Sequence, residues 1–102
     1  MYTTSTLAVK IDRSLNNGCT VSGAASGFWW LNWDKAQTVT TIVAIAKQRV
    51  VGVFSVSNPF QVARGNDKGR VGFHNVTELP LSSWPPFQAM EPFVFTGPFK
   101  YL

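Results

Sequence analysis

Apolar and polar positions alternate with a period of two at several places along the chain, and no stretch of ten or more residues repeats at the helical period of 3.6. Residues Thr6–Ile11 set Leu7, Val9 and Ile11 against Ala8 and Lys10, which predicts a half-buried strand. Val39–Ala46 and Arg49–Ser57 are dominated by Val, Ile and Thr and are predicted as the two clearest strands. In the first of them Val43 and Ile45 point one way and Ile42, Ala44 and Ala46 the other, so both faces are apolar and both need a cover. The two strands should pair as an antiparallel hairpin across Lys47-Gln48. Tight two-residue hairpin turns need positive φ and favour Gly or Asn, which this turn lacks, so a loop one or two residues longer is expected. Gly52 signals a bulge or a close approach within the second strand.

Around this hairpin the pattern is less regular. Ser14–Gly27 consists largely of small and polar residues and is read as a loop. The run Phe28-Trp29-Trp30-Leu31-Asn32-Trp33 is too aromatic for a surface loop; if extended, it places Phe28 and Trp30 on one face and Trp29, Leu31 and Trp33 on the other. Asn32 or Asp34 is placed to cap a single helical turn through Lys35-Ala36-Gln37, kept short by the β-branched Thr38-Val39-Thr40-Thr41. Asn58-Pro59 should end the hairpin, with Ala63–Gly69 forming a charged loop before a short strand over Arg70–Val76. Five of the six prolines lie from Pro80 onward, so the last third is expected to wrap in extended form, with a final strand near Phe93–Phe95 or Phe99–Leu102.

Composition narrows the choice of class. At 102 residues, 45% apolar and 14% charged, the chain suits one folded domain spanning residues 1–102 and is unlike disordered sequences. The net charge of +4 favours polyanionic partners. One cysteine, Cys19, and one histidine, His74, supply neither a disulfide nor a closed zinc site, so no metal or cofactor is expected and a reducing, cytoplasmic setting fits. No segment reaches the ~18 apolar residues of a membrane span, and no membrane association is expected. The five carboxylates are too scattered to suggest an acid–base pair, so an enzyme is the least favoured class and no catalytic residue is assigned. Gly65-Asn66-Asp67-Lys68-Gly69 has two glycines but neither the Gly-Lys-Ser/Thr ending nor the helix of a phosphate loop; it reads as a turn whose neighbours Arg64, Lys68 and Arg70 serve either solubility or phosphate contact.

Three of the four tryptophans fall between residues 29 and 33. A packing reading puts Phe28 and Trp30 in the core and uses Trp29 and Trp33 to close one end. A binding reading makes part of this surface a platform on which a base stacks, with cations nearby for phosphates. Alternation in an extended segment then buries one of Trp29 and Trp30 among Val43, Val53 and Phe54 and leaves the other lining a cleft.

The order Gly27-Phe28-Trp29-Trp30-Leu31-Asn32, Lys35-Ala36, Ile42-Val43-Ala44-Ile45, Val50-Val51-Gly52-Val53-Phe54, Gly69-Arg70-Val71-Gly72-Phe73 and Pro98-Phe99-Lys100-Tyr101 resembles small PUA-like (ASCH/EVE-like) β-barrel domains. Such domains occur alone in bacteria and phages and also appended to nucleases of the GIY-YIG type. The resemblance covers residues 22 to 102 and implies a mainly β, α+β fold: an antiparallel pseudo-barrel with one or two short helices. In the wider group a cleft binds RNA, or DNA with an altered base; the matching positions here are Trp29 or Trp30 and Arg70 with Phe73. Ser26 stands where the pattern has a basic residue, and the segment between Val76 and Pro98 diverges from it. The expectation is therefore a non-catalytic module that binds RNA or DNA through Trp29, Trp30, Trp33 and Phe73 with Arg64, Lys68 and Arg70. The alternative is a small protein-interaction factor that docks on a partner protein through an exposed aromatic patch. Monomer and dimer remain open.

Overall fold

The chain must cover two apolar faces of one hairpin, and the computed structural model, which describes residues 4–25, 27 and 29–102, shows how it does so. Strand β1 (Ser5–Lys10) is followed by three short helices, α1 (Asp12–Asn16), α2 (Val21–Ala25) and α3 (Trp33–Ala36). Strands β2 (Val39–Ala46), β3 (Arg49–Gln61) and β4 (Val71–Glu78) come next, then a 3-10 turn at Leu81–Ser83, helix α4 (Pro85–Gln88) and strand β5 (Phe99–Tyr101). The strands form one sheet in the order β4-β3-β2-β1-β5.

The sheet is mainly antiparallel, but β1 and β2 run parallel, with Leu7 opposite Ile42 and Val9 opposite Ala44. The expected antiparallel pseudo-barrel is thus replaced by an open, mixed sheet with β4 and β5 at its edges. A parallel pair needs a crossover, and the segment from Ile11 to Thr38 provides it across one face. Within this segment the sequence predicts a loop, an aromatic extended run and one helical turn, and the structure forms three helices. Its helices are single turns, too short to show a helical period, and they are stabilised by packing. Asn32 caps α3 as expected, its Oδ1 accepting from the N–H groups of Asp34 (3.0 Å) and Lys35 (3.2 Å).

Alternation along β1 and β2 divides the core into two layers. Leu7, Val9, Ile42 and Ala44 face the crossover helices, where Ala24, Ala25 and Ala36 lie buried against them. Ala8, Val43, Ile45 and Val53 face the opposite way, under Phe93 and the partly buried Leu79, Trp84, Phe87 and Phe95 of the C-terminal wrap. Both covers required by the doubly apolar hairpin are therefore present.

Two details of β3 follow from close packing. Val51 is an extra residue, since Ala44 pairs with Gly52 and Ile45 with Val50. At Gly52 a Cβ would lie 2.8 Å from the Phe54 ring and 2.9 Å from Val21, so the missing side chain is what lets α2 seat on the sheet. The strand also continues past Asn58-Pro59, which had been expected to end it; Pro59 pairs with Phe73 and Gln61 with Val71. Asn58 takes φ 55 within the strand. Phe54 and Val56 on one side of this bend, and Val71 and Phe73 across the other, all reach the helix-side layer. Strict alternation would have sent the second pair to the opposite face.

The β2–β3 turn is the two-residue form after all. Lys47 and Gln48 both hold positive φ, 51 and 66, and Ala46 pairs directly with Arg49. The turn is anchored from both covers: the Lys47 N–H donates to Asp12 Oδ1 at 2.7 Å, and the Phe93 N–H donates to the Gln48 carbonyl at 2.9 Å. Replacing Lys47-Gln48 by Asn-Gly should raise the unfolding free energy by about 1–2 kcal/mol, because residues other than Gly and Asn carry a steric penalty in this region. Gly52→Ala should lower it by about 1–3 kcal/mol through overpacking. Urea denaturation of the two variants measures both shifts.

Candidate nucleic-acid interface

The aromatic segment joins the sheet at one residue. Trp29 and Val71 exchange backbone hydrogen bonds of 2.9 and 2.7 Å across the outer edge of β4. The Trp29 carbonyl also accepts from the Leu31 N–H at 2.9 Å, which closes a tight turn centred on Trp30. Trp29 is half-buried, packs on the helix-side core and donates its indole N–H to the Ala25 carbonyl at 3.3 Å. Leu31 is buried, and Trp30 is turned outward and left 57% exposed. Neither tryptophan lies with Val43 and Val53, which face the opposite layer; Trp29 shares the layer of Phe54. The packing reading that placed Trp30 in the core is corrected by its exposure, and the part assigned to Phe28 falls outside the described residues.

Trp30 rests on the end of the Val62–Arg70 loop. A Cβ on Gly69, which holds φ 92, would come within 3.1 Å of the Trp30 ring. The Arg70 guanidinium lies 5.0 Å from the centroid of that ring, within the range of a cation–π contact. Asp67 Oδ1 approaches Arg70 Nε at 3.4 Å, the one ion pair among the described residues. Arg70 is thus held between an aromatic face and a carboxylate at a fixed place on the surface.

Arg70 and Trp29 form one side of a cleft of about 520 Å³, and Lys10, Asp12, Arg13, Ser14 and Pro98 line the rest. The crossover starting at Ile11 brings the end of β1 opposite the start of β4. Arg13 and Arg70 bring their guanidinium groups to this cleft, Lys10 lines it while its ammonium donates to the Phe95 carbonyl outside it, and the one carboxylate, Asp12, already accepts from the Lys47 N–H. The arrangement offers cationic and aromatic surface to an anion bearing a flat ring.

Of the residues expected at a binding site, Trp29, Trp30 and Arg70 are brought together. Phe73 is not available to a ligand, because it is buried in the helix-side core at 6% exposure. Trp33 opens α3, is 37% exposed and does not line the cleft. Arg64 and Lys68 are exposed on the loop beside the platform and also lie outside the cleft lining. Lys10, Asp12 and Arg13 were not foreseen. Their signal was the charge-dense Lys10-Ile11-Asp12-Arg13 in a chain with few charges, but its position opposite Arg70 depends on the crossover.

Elsewhere, His74 is exposed with its ring centroid 4.3 Å from that of Phe60, and Cys19 is exposed. Among the described residues no three His, Cys, Asp or Glu side chains gather as a metal site would require. Burial raises the Tyr101 hydroxyl above its ordinary pKa of 10.0; it sits on the β5 edge, apart from the cleft. No helix among the described residues is long and apolar enough to cross a membrane. Comparison with protein families, with curated proteins and with solved structures finds no match for this chain.

The two tryptophans should separate on substitution. Trp30→Ala should change the unfolding free energy by no more than about 0.5 kcal/mol, as for an exposed site. Trp29→Ala should cost about 2–3 kcal/mol, somewhat below the ~3–5 of a fully buried aromatic. Guanidinium denaturation measures the difference, and equal costs would contradict the assignment of Trp30 to the surface.

Proposed function

We propose that the chain is a non-catalytic nucleic-acid-binding module whose ligand docks at the Trp30–Arg70 platform and the adjoining cleft. The observation that carries this reading is the pairing itself: an exposed indole face held against a guanidinium, at the rim of a cleft lined by Trp29, Lys10 and Arg13. A base can stack on the indole while the cations meet the phosphates, and each function is one that nucleic acid presents together. Of the positions that the resemblance to PUA-like domains names, Trp29 or Trp30 and Arg70 with Phe73, Trp29 and Arg70 line the cleft and support the reading, whereas Phe73 is in the core. Asp67 competes for Arg70, so a phosphate must displace it in part.

The test is fluorescence anisotropy with labelled RNA and DNA oligonucleotides at two salt concentrations. Binding should weaken steeply with salt. Trp30→Ala should lose about 1–3 kcal/mol of binding, the usual worth of one stacked base. Arg70→Ala should weaken all sequences alike and reduce the salt slope by about one unit. Asp67→Asn should strengthen binding, since it frees the guanidinium. If the wild-type protein binds no oligonucleotide even at low salt, the exposed aromatic surface is better assigned to a protein partner.

A further inference from the structure

The cleft beside Trp30 does not end at β1. Lys10 and Asp12 also line a second cleft, which extends to Lys47, Gln48 and Phe95, and Lys47 and Gln48 in turn line a third, bounded by Arg49 and Glu91. The three therefore adjoin one another through shared lining residues, with a lysine at each junction. Register sets the scale of the far part. Lys10 pairs with Ile45, and Ile45 with Val50 beside Arg49, so the path from Lys10 to Arg49 crosses two strand spacings, about 10 Å. The middle cleft, at about 220 Å³, is smaller than the usual ~300–1,000 Å³ of a small-molecule pocket and makes more sense as a passage.

We infer that the ligand is one unpaired strand of several nucleotides that leaves the Trp30–Arg70 platform, crosses the three clefts and is held at its far end by Lys47 and Arg49. This rests on the nucleic-acid reading given above. Arg13, Lys47 and Arg49 are exposed and take no part in the single ion pair among the described residues. The two carboxylates along the path face inward onto backbone donors: Asp12 accepts from the Lys47 N–H, and Glu91 Oε1 accepts from the Val50 N–H at 2.9 Å. The left-handed turn at Lys47-Gln48 keeps a lysine where the backbone favours Asn or Gly. Backbone strain of this kind gathers at functional positions.

A single strand is favoured because two of the three ring–cation pairs among the described residues lie on this path, the third being Lys35 with Tyr101. Arg70 lies on Trp30, and the Lys10 ammonium lies 4.5 Å from the centroid of the Phe95 ring while donating to the Phe95 carbonyl. Val94, 71% exposed, adds apolar surface next to the second ring. Ring faces can stack on bases only where the bases are not already stacked and paired within a duplex.

The experiment compares a trithymidylate with a thymidylate strand of about 12 nucleotides, a length within the ~4–16 that small single-strand-binding domains cover. The Lys47→Gln/Arg49→Gln double variant should bind the long strand about tenfold more weakly, with a salt slope lower by about 1.4, or 0.7 for each lost phosphate contact. Its affinity for the trithymidylate should not change. Phe95→Leu, which keeps an apolar group for packing, should weaken the long strand roughly fivefold and leave the short one unaffected. Trp30→Ala should weaken both. Wild-type affinity and slope for the long strand in the double variant would overturn the path while leaving binding at Trp30 standing. A duplex of the same length bound as tightly as the strand would overturn the requirement for unpaired bases. Failure of the wild-type protein to bind either strand would remove the path together with the reading beneath it.

Discussion

Strand β2 is apolar on both sides, and most of the architecture follows from the need to cover it twice. Ile42 and Ala44 face one layer, Val43 and Ile45 the other, and all four are essentially inaccessible to solvent. A Val or Ile side chain gains about 1.5–3 kcal/mol from full burial, so leaving either face open would remove much of the driving force for folding. The chain supplies one cover before β2 and one after β3. Neither is a long regular element. The first consists of single-turn helices that bury the small residues Ala24, Ala25 and Ala36, and the second of an extended wrap rich in Phe and Pro.

The site arises where these covers meet the ends of the strands. Asp12, at the start of the first cover, and Phe93 and Glu91, in the second, all bond to the backbone around the β2–β3 turn. That turn is consequently fixed from two directions, with its cations outside. At the other end of the same line, Trp29 fastens the first cover to β4 through Val71, and the tight turn that follows leaves Trp30 with nowhere to pack except on Gly69 and Arg70. The exposed indole is thus a consequence of how the crossover closes.

The central strands were legible from residue pattern alone: Val39–Ala46 appears with the expected limits, and the division of its side chains between two faces holds. The antiparallel hairpin of β2 and β3 was legible too, but the parallel direction of β1 against β2 was not. Alternation fixes which side chains share a face but carries no information on parallel or antiparallel pairing, and the crossover that decides it has no periodic signal. The extension of β3 past Asn58-Pro59 was hidden for a related reason: a bend at positive φ and a proline both read locally as a stop, although Pro59 sits opposite Phe73 in the ladder. At the site, aromatic density pointed correctly to residues 29 and 30. It could not tell that Phe73, matched by the resemblance, belongs to the core. The contribution of Lys10 and Arg13 depends on a contact between distant parts of the chain, which local sequence does not encode.

The pairing of β5 with β1, in which Leu7 faces Tyr101 and Val9 faces Phe99, joins the two ends of the described chain. During synthesis the β2–β3 hairpin can close as soon as its own residues are free, whereas β1 lacks its outer neighbour until residues 99–101 emerge. For that interval a strand with Leu7, Ala8 and Val9 at its centre presents an unpaired backbone edge to whatever lies near it. That edge closes only when β5 arrives, so Phe99–Tyr101 set how long it stays open.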